Sequence, residues 1–307
     1  MLRQREEGAQ IPGERFIDLE VLTRIDNLEL IARTVVDGFI SGLHRSPMLG
    51  MSVDFAEHRA YMPGDDVRRV DWKLFARTDR LYVKEFEADS NANMHMLLDV
   101  SASMNYGSGA LTKLDYARYL AASLAYLASR QRDRIGLITF DHDVIETVPP
   151  SIRHFSRVLH ALDQCRPAGH SEYHRPLEKI GERLRRRSFV VLISDLYETP
   201  ERLLSAIAQL RCRGNDLIVF HLLDPLELSL ELDDVSSLED LETGTNLPIA
   251  AAQFRASYQQ LVREHRAALE QKLGSNQIDY IFADISRPLD GVLFRYLSDR
   301  ERQIRTR

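Results

Sequence analysis

Apolar residues fall along this chain in two rhythms. Apolar-rich runs of strand length stand at Met94 to Leu98, Phe189 to Ile193, Asp216 to Leu223 and Ile278 to Ala283. Phe189 to Ile193 is continuous, without polar alternation, and reads as a strand buried on both faces. Between them the spacing changes to threes and fours. Leu114, Ala117, Leu120, Ala121, Leu124 and Leu127 form one helical face behind a capping-box-like start at Thr112-Lys113-Leu114-Asp115. Ser156 to Cys165 repeats the pattern with Val158, Leu159 and Leu162 inward, and Thr199-Pro200-Glu201 opens a further helix that ends at Gly214. Phe254, Tyr258, Leu261, His265, Ala268 and Lys272 mark the predicted apolar side of a long helix stopping at Gly274, and residues 288 to 299 make the last helix. Arg134 to Phe140 and Val144 to Val148, joined by Asp141-His142-Asp143, read as a hairpin. Strands alternating with helices predict an α/β fold with a mostly parallel sheet, helices on both faces and one antiparallel edge strand. The first and fourth strands should meet at the topological switch point, where open sheets of this kind bind ligands beyond the strands' carboxyl ends.

The N-terminal part is less regular. Residues 1 to 15 are polar, with Gly8, Pro12 and Gly13, and read as a loose tail. Leu19, Leu22, Ile25, Leu28 and Ile31 predict an amphipathic helix from Asp18, and Val35, Val36, Phe39, Ile40 and Leu43 a strand running into the Arg45-Ser46-Pro47 turn. We therefore divide the chain into an N-terminal extension, 1–91, and an α/β domain, 92–307. That domain carries an acidic, Pro-bounded insertion at about 225–250, strand-like from Val235 to Thr243 around the Glu242-Thr243-Gly244-Thr245 turn.

Composition narrows the partners. In 307 residues, 44% hydrophobic, 40 basic residues stand against 46 acidic ones, a net charge of −6. That balance offers no general attraction to nucleic acid or to an anionic membrane. Cys165 and Cys212 are isolated, so neither a zinc site nor a disulfide framework is indicated. The N-terminus has no apolar targeting core, and the most apolar helical window, Tyr119 to Ser129, is too short to span a bilayer. The expectation is a cytoplasmic protein without a membrane span.

Candidate chemistry begins at Asp99-Val100-Ser101-Ala102-Ser103, where the first apolar run ends. Side chains alternate in extended backbone, so Asp99, Ser101 and Ser103 point the same way and three hard oxygen donors converge, as Mg²⁺ or Mn²⁺ would require. A five-residue string of this kind also arises by chance. Two further segments add weight: the second apolar run ends in Asp195, and Gly169-His170-Ser171 lies in a loop entering a helix. With these residues the chain resembles the von Willebrand factor type A family. Its metal-ion-dependent adhesion site combines DxSxS after the first strand, a Thr in a GxT loop and an Asp after the fourth strand. The resemblance implies a Rossmann-like type A domain whose metal ligands are Asp99, Ser101, Ser103, Ser171 and Asp195, with Ser171 in place of the usual Thr. The hydroxyl is kept, but the rigidity of a β-branched side chain is lost. Gly107-Ser108-Gly109, beyond the serines, is expected to let this loop move.

The stretch Asp54 to Glu87 mixes seven Lys/Arg with eight Asp/Glu, which suits a local ion-pair network better than a phosphate-binding stripe. Within it, Asp65, Asp66 and Asp71-Trp72-Lys73 could be the acid pair and DxK of a metal-dependent nuclease, but Pro63-Gly64-Asp65-Asp66 reads as a turn rather than the strand such a site needs. The run RxYxPGDDxRxxDWKxxAR, here Arg59, Tyr61, Gly64, Asp65, Asp66, Arg68, Asp71, Trp72 and Arg77, resembles the bacterial family known as domain of unknown function 58. That resemblance extends from about Gly42 to the C-terminus. It implies a partner of the MoxR-type AAA+ ATPase class and a role in maturing client proteins or inserting metals. The motif residues themselves serve either structural docking or partner contact. A zinc reading of His170 and His174 finds no third soft ligand, and Arg183, Arg185, Arg186 and Arg187 suit a helix C-terminus.

Two functions remain. In one, Mg²⁺ or Mn²⁺ is a binding device whose open position takes an Asp or Glu carboxylate of a client protein, in a non-enzymatic adaptor without a GxxxxGK[ST] nucleotide loop of its own. In the other, the same acidic and hydroxyl residues form a metal-dependent hydrolase, a nuclease or phosphoesterase, which would need a general base beside the site.

Overall fold

The computed structural model describes residues 19–25, 27–43, 58–60, 82–84, 93–184, 188–211, 214–232, 236–239, 246–249 and 251–305. Helices α1 (Leu19–Leu22) and α2 (Leu28–Leu43) open the described chain, followed by a small antiparallel pair, β1 (His58–Ala60) and β2 (Tyr82–Lys84). The main body runs β3 (Asn93–Asp99), α3 (Lys113–Arg130), β4 (Arg134–Phe140), β5 (Val144–Ser151), α4 (Phe155–Gln164), α5 (His174–Arg183), β6 (Phe189–Ser194), α6 (Pro200–Arg211) and β7 (Asp216–Leu223). It continues with α7 (Pro225–Ser229), β8 (Ser236–Glu239), β9 (Asn246–Ile249), α8 (Ala251–Ser275), β10 (Asp279–Asp284) and α9 (Leu289–Arg305).

Six strands form one sheet in the order β10-β7-β6-β3-β4-β5, parallel throughout except for β5, which runs antiparallel to β4 at the edge. The expected α/β architecture is the one observed. Side chains alternate between two apolar layers: Met94, Met96 and Leu98 of β3 face α3, whereas Leu97 faces the opposite layer with Leu177, Val190 and Leu192. Both faces of the central strands are thereby covered, which is why those strands are mostly apolar without regular alternation. β3 is flanked by β4 on one side and β6 on the other, so chain order reverses there and the strand ends open a crevice.

Three sequence expectations are corrected. The predicted strand at Val35 to Leu43 is the second half of α2. Ile31, Ala32, Val35 and Val36 fall at helical spacing, and all are buried in the layer that contains α3. The single helix expected from Asp18 is instead broken after Leu22, and α2 restarts where the Asn27 side chain accepts the Leu30 N–H at 3.0 Å. On α8, Phe254 and Leu261 are exposed, at 56% and 63%, while Leu269 and Leu273 are buried. The inner stripe is therefore displaced around the helix from the one predicted. Within the insertion, β8 pairs antiparallel with β9, so its strand content is a hairpin. Among the described residues no helix is long and apolar enough to cross a membrane.

Candidate metal centre

The five residues singled out in sequence gather at the carboxyl end of β3 and β6. Val100, just beyond β3, donates to Phe140 O at 2.9 Å, and Ser101 caps a short 3₁₀ turn over Ala102–Asn105. Ser101 Oγ and Ser103 Oγ lie 3.1 Å apart. The loop bearing Ser171 is laced to this turn by two backbone bonds, Ala102 N–H to Gly169 O and Ala168 N–H to Val100 O, each 3.0 Å. Gly169 permits the approach: its φ is +71°, and a Cβ there would lie 2.5 Å from Asp141 Oδ2. His170 precedes α5 and stacks on His142 at 5.0 Å, so His170 and His174 do not share a helix face as a zinc pair would require.

Asp99 is fully buried and fully engaged. Its Oδ1 accepts the Ser101 N–H at 2.9 Å, and its Oδ2 accepts Ser194 Oγ at 2.8 Å and the Tyr173 hydroxyl at 3.1 Å. Burial and then the charge on Asp195 push its pKa up to about 6, against the opposing pull of the hydrogen bonds from Ser101 and Ser194. Burial and the charges of Asp99 and Asp195 also raise the Tyr173 phenol, which stays an O–H donor at neutral pH.

Asp195 is held differently. Its Oδ2 accepts Lys113 Nζ at 2.7 Å, and the same ammonium donates to Glu227 Oε1 at 2.7 Å. Lys113 and Asp195 are both completely buried. Burial disfavours the ammonium, but the charges of Asp195 and Glu227 outweigh that and hold Lys113 above its ordinary value. The other oxygen, Asp195 Oδ1, is buried without a hydrogen-bond partner among the described residues. An unpartnered carboxylate oxygen in such a place is costly, about 1–3 kcal/mol or more. A hard cation bound to it would remove that cost, and a carboxylate with hydroxyl donors is an oxygen set that fits Mg²⁺ or Mn²⁺.

The expected looseness of Gly107-Ser108-Gly109 is not what the structure contains. Asp224, the N-cap of α7, accepts Ser108 N–H at 2.8 Å and Ser108 Oγ at 2.6 Å. Sequence reasoning missed this clamp, along with Tyr173, Ser194, Lys113 and Glu227. One local signal pointed to Lys113: a cation in the first turn of α3 opposes the helix dipole, so it needs compensation from elsewhere. Of the motif residues in the N-terminal part, Arg59 lies in β1 opposite Val83. Tyr61, Gly64, Asp65, Asp66, Arg68, Asp71, Trp72 and Arg77 lie outside the described residues, as does the nuclease-like Lys73.

With this geometry in place, the chain can be set beside known proteins. It is 29% identical over 235 residues to an uncharacterized protein of Mycobacterium bovis, covering 74% of this chain and 73% of that protein. Among solved structures it is similar to an aerotolerance-related membrane protein from Bacteroides fragilis, with a TM-score of 0.47 at 16% identity over 64% of this chain and 92% of the other. It is also similar to BatB from Bacteroides thetaiotaomicron, a conserved hypothetical protein, with a TM-score of 0.45 at 14% identity over 68% and 98% of the respective chains. The model of one family matches residues 57–268, more than half of the sequence and the stretch that contains every candidate ligand, and the chain belongs to that family, Protein of unknown function DUF58.

Proposed function

We propose that this protein is a divalent-cation-dependent protein-binding adaptor with no turnover of its own, working with a MoxR-type AAA+ ATPase in the maturation of, or metal insertion into, client proteins. One observation carries the metal dependence: Asp195 Oδ1 is buried without a hydrogen-bond partner among the described residues, and Asp195 lies close enough to Asp99 for its charge to act on that carboxyl. Ser101, Ser103, Ser171 and Asp195 would hold Mg²⁺ or Mn²⁺, and Asp99 would orient the turn through the hydrogen bonds it already makes. Such an ion, when bound, offers a position to a carboxylate from outside the protein. Ser103 is half-buried, so a partner's Asp or Glu could reach the crevice without unfolding it. The nature of the partner rests on the family resemblance.

Two measurements test this together. Calorimetry and Mn²⁺-induced NMR line broadening should show weak binding in the wild type that Asp99→Ala abolishes. A complex with a MoxR-type ATPase should weaken about tenfold or more in chelator and in Ser103→Ala, the loss of a single ligand being worth more than about 1.4 kcal/mol. A complex indifferent to chelator and to the substitution would confine the crevice to a structural role. Metal-dependent hydrolysis of phosphate esters by the isolated protein, lost in Asp99→Ala, would replace the adaptor by an enzyme.

A further inference from the structure

A second site lies at the opposite end of β3. His95 is four residues before Asp99 on the same face, about 13 Å away at 3.3 Å per residue. There the layer beneath α5 stops short and leaves a cavity of about 560 Å³. The edge strand explains the gap. Pro149 and Pro150 lack the N–H a ladder needs, and the β4–β5 register slips between Ile135 and Leu137. Gly136 sits at the slip, where a Cβ would meet Val148 O at 2.9 Å.

The lining divides into two chemistries. Ile138, Val148, Pro149, Pro150 and Leu184 supply an apolar wall. Arg134, Arg153 and Arg183 reach the same cavity from β4, from the turn after β5 and from the last turn of α5. All three are exposed, and none of their guanidinium groups has an ion-pair partner among the described residues. Among the described residues no carboxylate lines the cavity. Between the two chemistries stands His95, 7% exposed, whose Nε2 is buried with no hydrogen-bond partner among the described residues. The carbonyl end of α5 contributes only about half a negative charge, which three guanidinium groups exceed.

We propose that this cavity binds a small organic phosphate, the phosphoryl group on the arginines and the organic body against His95 and the proline wall. Planar guanidinium forks match phosphate oxygens two at a time, whereas a surface ion pair would use carboxylates, and the described lining has none. The volume lies within the range of about 300–1,000 Å³ typical of small-molecule sites, far more than inorganic phosphate fills. Burial holds the imidazole neutral, with its pKa lowered to about 4, so it serves as a hydrogen-bonding and stacking surface for the organic body.

The full-length protein is titrated by calorimetry and thermal shift with AMP, ribose 5-phosphate, inorganic phosphate, adenosine and citrate in turn. AMP or ribose 5-phosphate should bind more tightly than inorganic phosphate, and adenosine not at all; whichever of the two is tighter tells whether the base contributes. The paired substitution Arg134→Gln and Arg153→Gln, at exposed positions, should weaken binding about tenfold or more while leaving the melting temperature unchanged. His95→Gln should weaken the organic phosphate more than inorganic phosphate. Asp99→Ala should leave AMP binding intact, so failure of the metal site and failure of this site are separable. No binding at millimolar ligand, binding that ignores the arginine substitutions, or citrate bound more tightly than either organic phosphate would each overturn the assignment.

Discussion

His95 and His221 show how burial sets the chemistry of single residues. Burial depresses His95 to about 4; burial, followed by the influence of His265, depresses His221 to about 3. An unfolded histidine titrates near 6.5. As pH falls below that value the unfolded chain gains protons that the folded chain refuses, so each histidine should remove about 1.4 kcal/mol of stability per pH unit until its folded pKa is reached. Asp99 works in the opposite sense. Its folded pKa, raised to about 6, makes the folded chain take up a proton first between about 6 and 3.8. Two histidines against one carboxylate leave a net loss on the order of 1 kcal/mol per unit between pH 6 and 4, and the lowered His265 adds to it. Urea unfolding in chelator at pH 7, 6 and 5 measures that slope. Imidazole NMR signals from His95 and His221 should stay in the neutral position down to pH 5; a midpoint near 6.5 for both would sink the account. These histidines also mark a limit of sequence reading, because nothing local separates a buried imidazole from the exposed pair His142 and His170. Asp99, Ser101 and Ser103 were legible because strand alternation alone aligns them.

Elements were legible where periodicity and burial agreed. The runs that became β3, β6 and β7 sit in the middle of the sheet, so nearly every central side chain is apolar, His95 and His221 being the buried exceptions, and the pattern had one reading. The N-terminal helix failed that test because Val35-Val36 and Phe39-Ile40 are β-branched or aromatic neighbours that carry strand propensity. Tertiary packing decides otherwise: α2 lays Ile31, Ala32, Val35 and Val36 into the layer shared with α3. Burial of each valine or isoleucine contributes about 1.5–3 kcal/mol, more than the few tenths that separate helix propensities. Ile31, 2% exposed, should therefore cost about 2–5 kcal/mol when replaced by Ala, whereas its neighbour Leu30, 49% exposed, should cost about 0.5 kcal/mol or less. Chemical denaturation of the two variants checks the pair. Equal, small effects would show that α2 is not part of the cooperative unit. On α8 the misplaced stripe has a related cause. Phe254 and Leu261 are large and apolar yet exposed, and sequence alone does not tell which side of a helix meets the sheet.

At the scale of the whole molecule, the candidate metal centre joins parts of the chain that no local pattern connects. Lys113 begins α3, Asp195 follows β6, and Glu227 lies in α7, 114 residues from the lysine. The fold brings them together because β6 and β7 are neighbours beside β3, with α3 packed across them. Asp99, Asp195 and Glu227 set three carboxyl groups against the single ammonium of Lys113. On the proposed reading, a metal ion bound here would share with Lys113 the neutralisation of one carboxylate cluster. Lys113→Met keeps the length of the side chain and removes its charge. In chelator it should cost about 3–5 kcal/mol, the usual penalty for leaving a buried charge without its partner. The deficit should make the fold dependent on metal. Mg²⁺ or Mn²⁺ should raise the melting temperature of Lys113→Met more than that of the wild type, because a cation that binds only the folded chain stabilises it by mass action and binds the more negative site more tightly. Lys113→Arg, which keeps the charge, should behave like the wild type with metal even if packing shifts its melting temperature. Scanning calorimetry of the three proteins with chelator and with metal separates these effects. Equal metal-induced shifts in wild type and Lys113→Met would show that the ammonium and the ion do not share Asp195, and the crevice would then be neutralised by Lys113 alone.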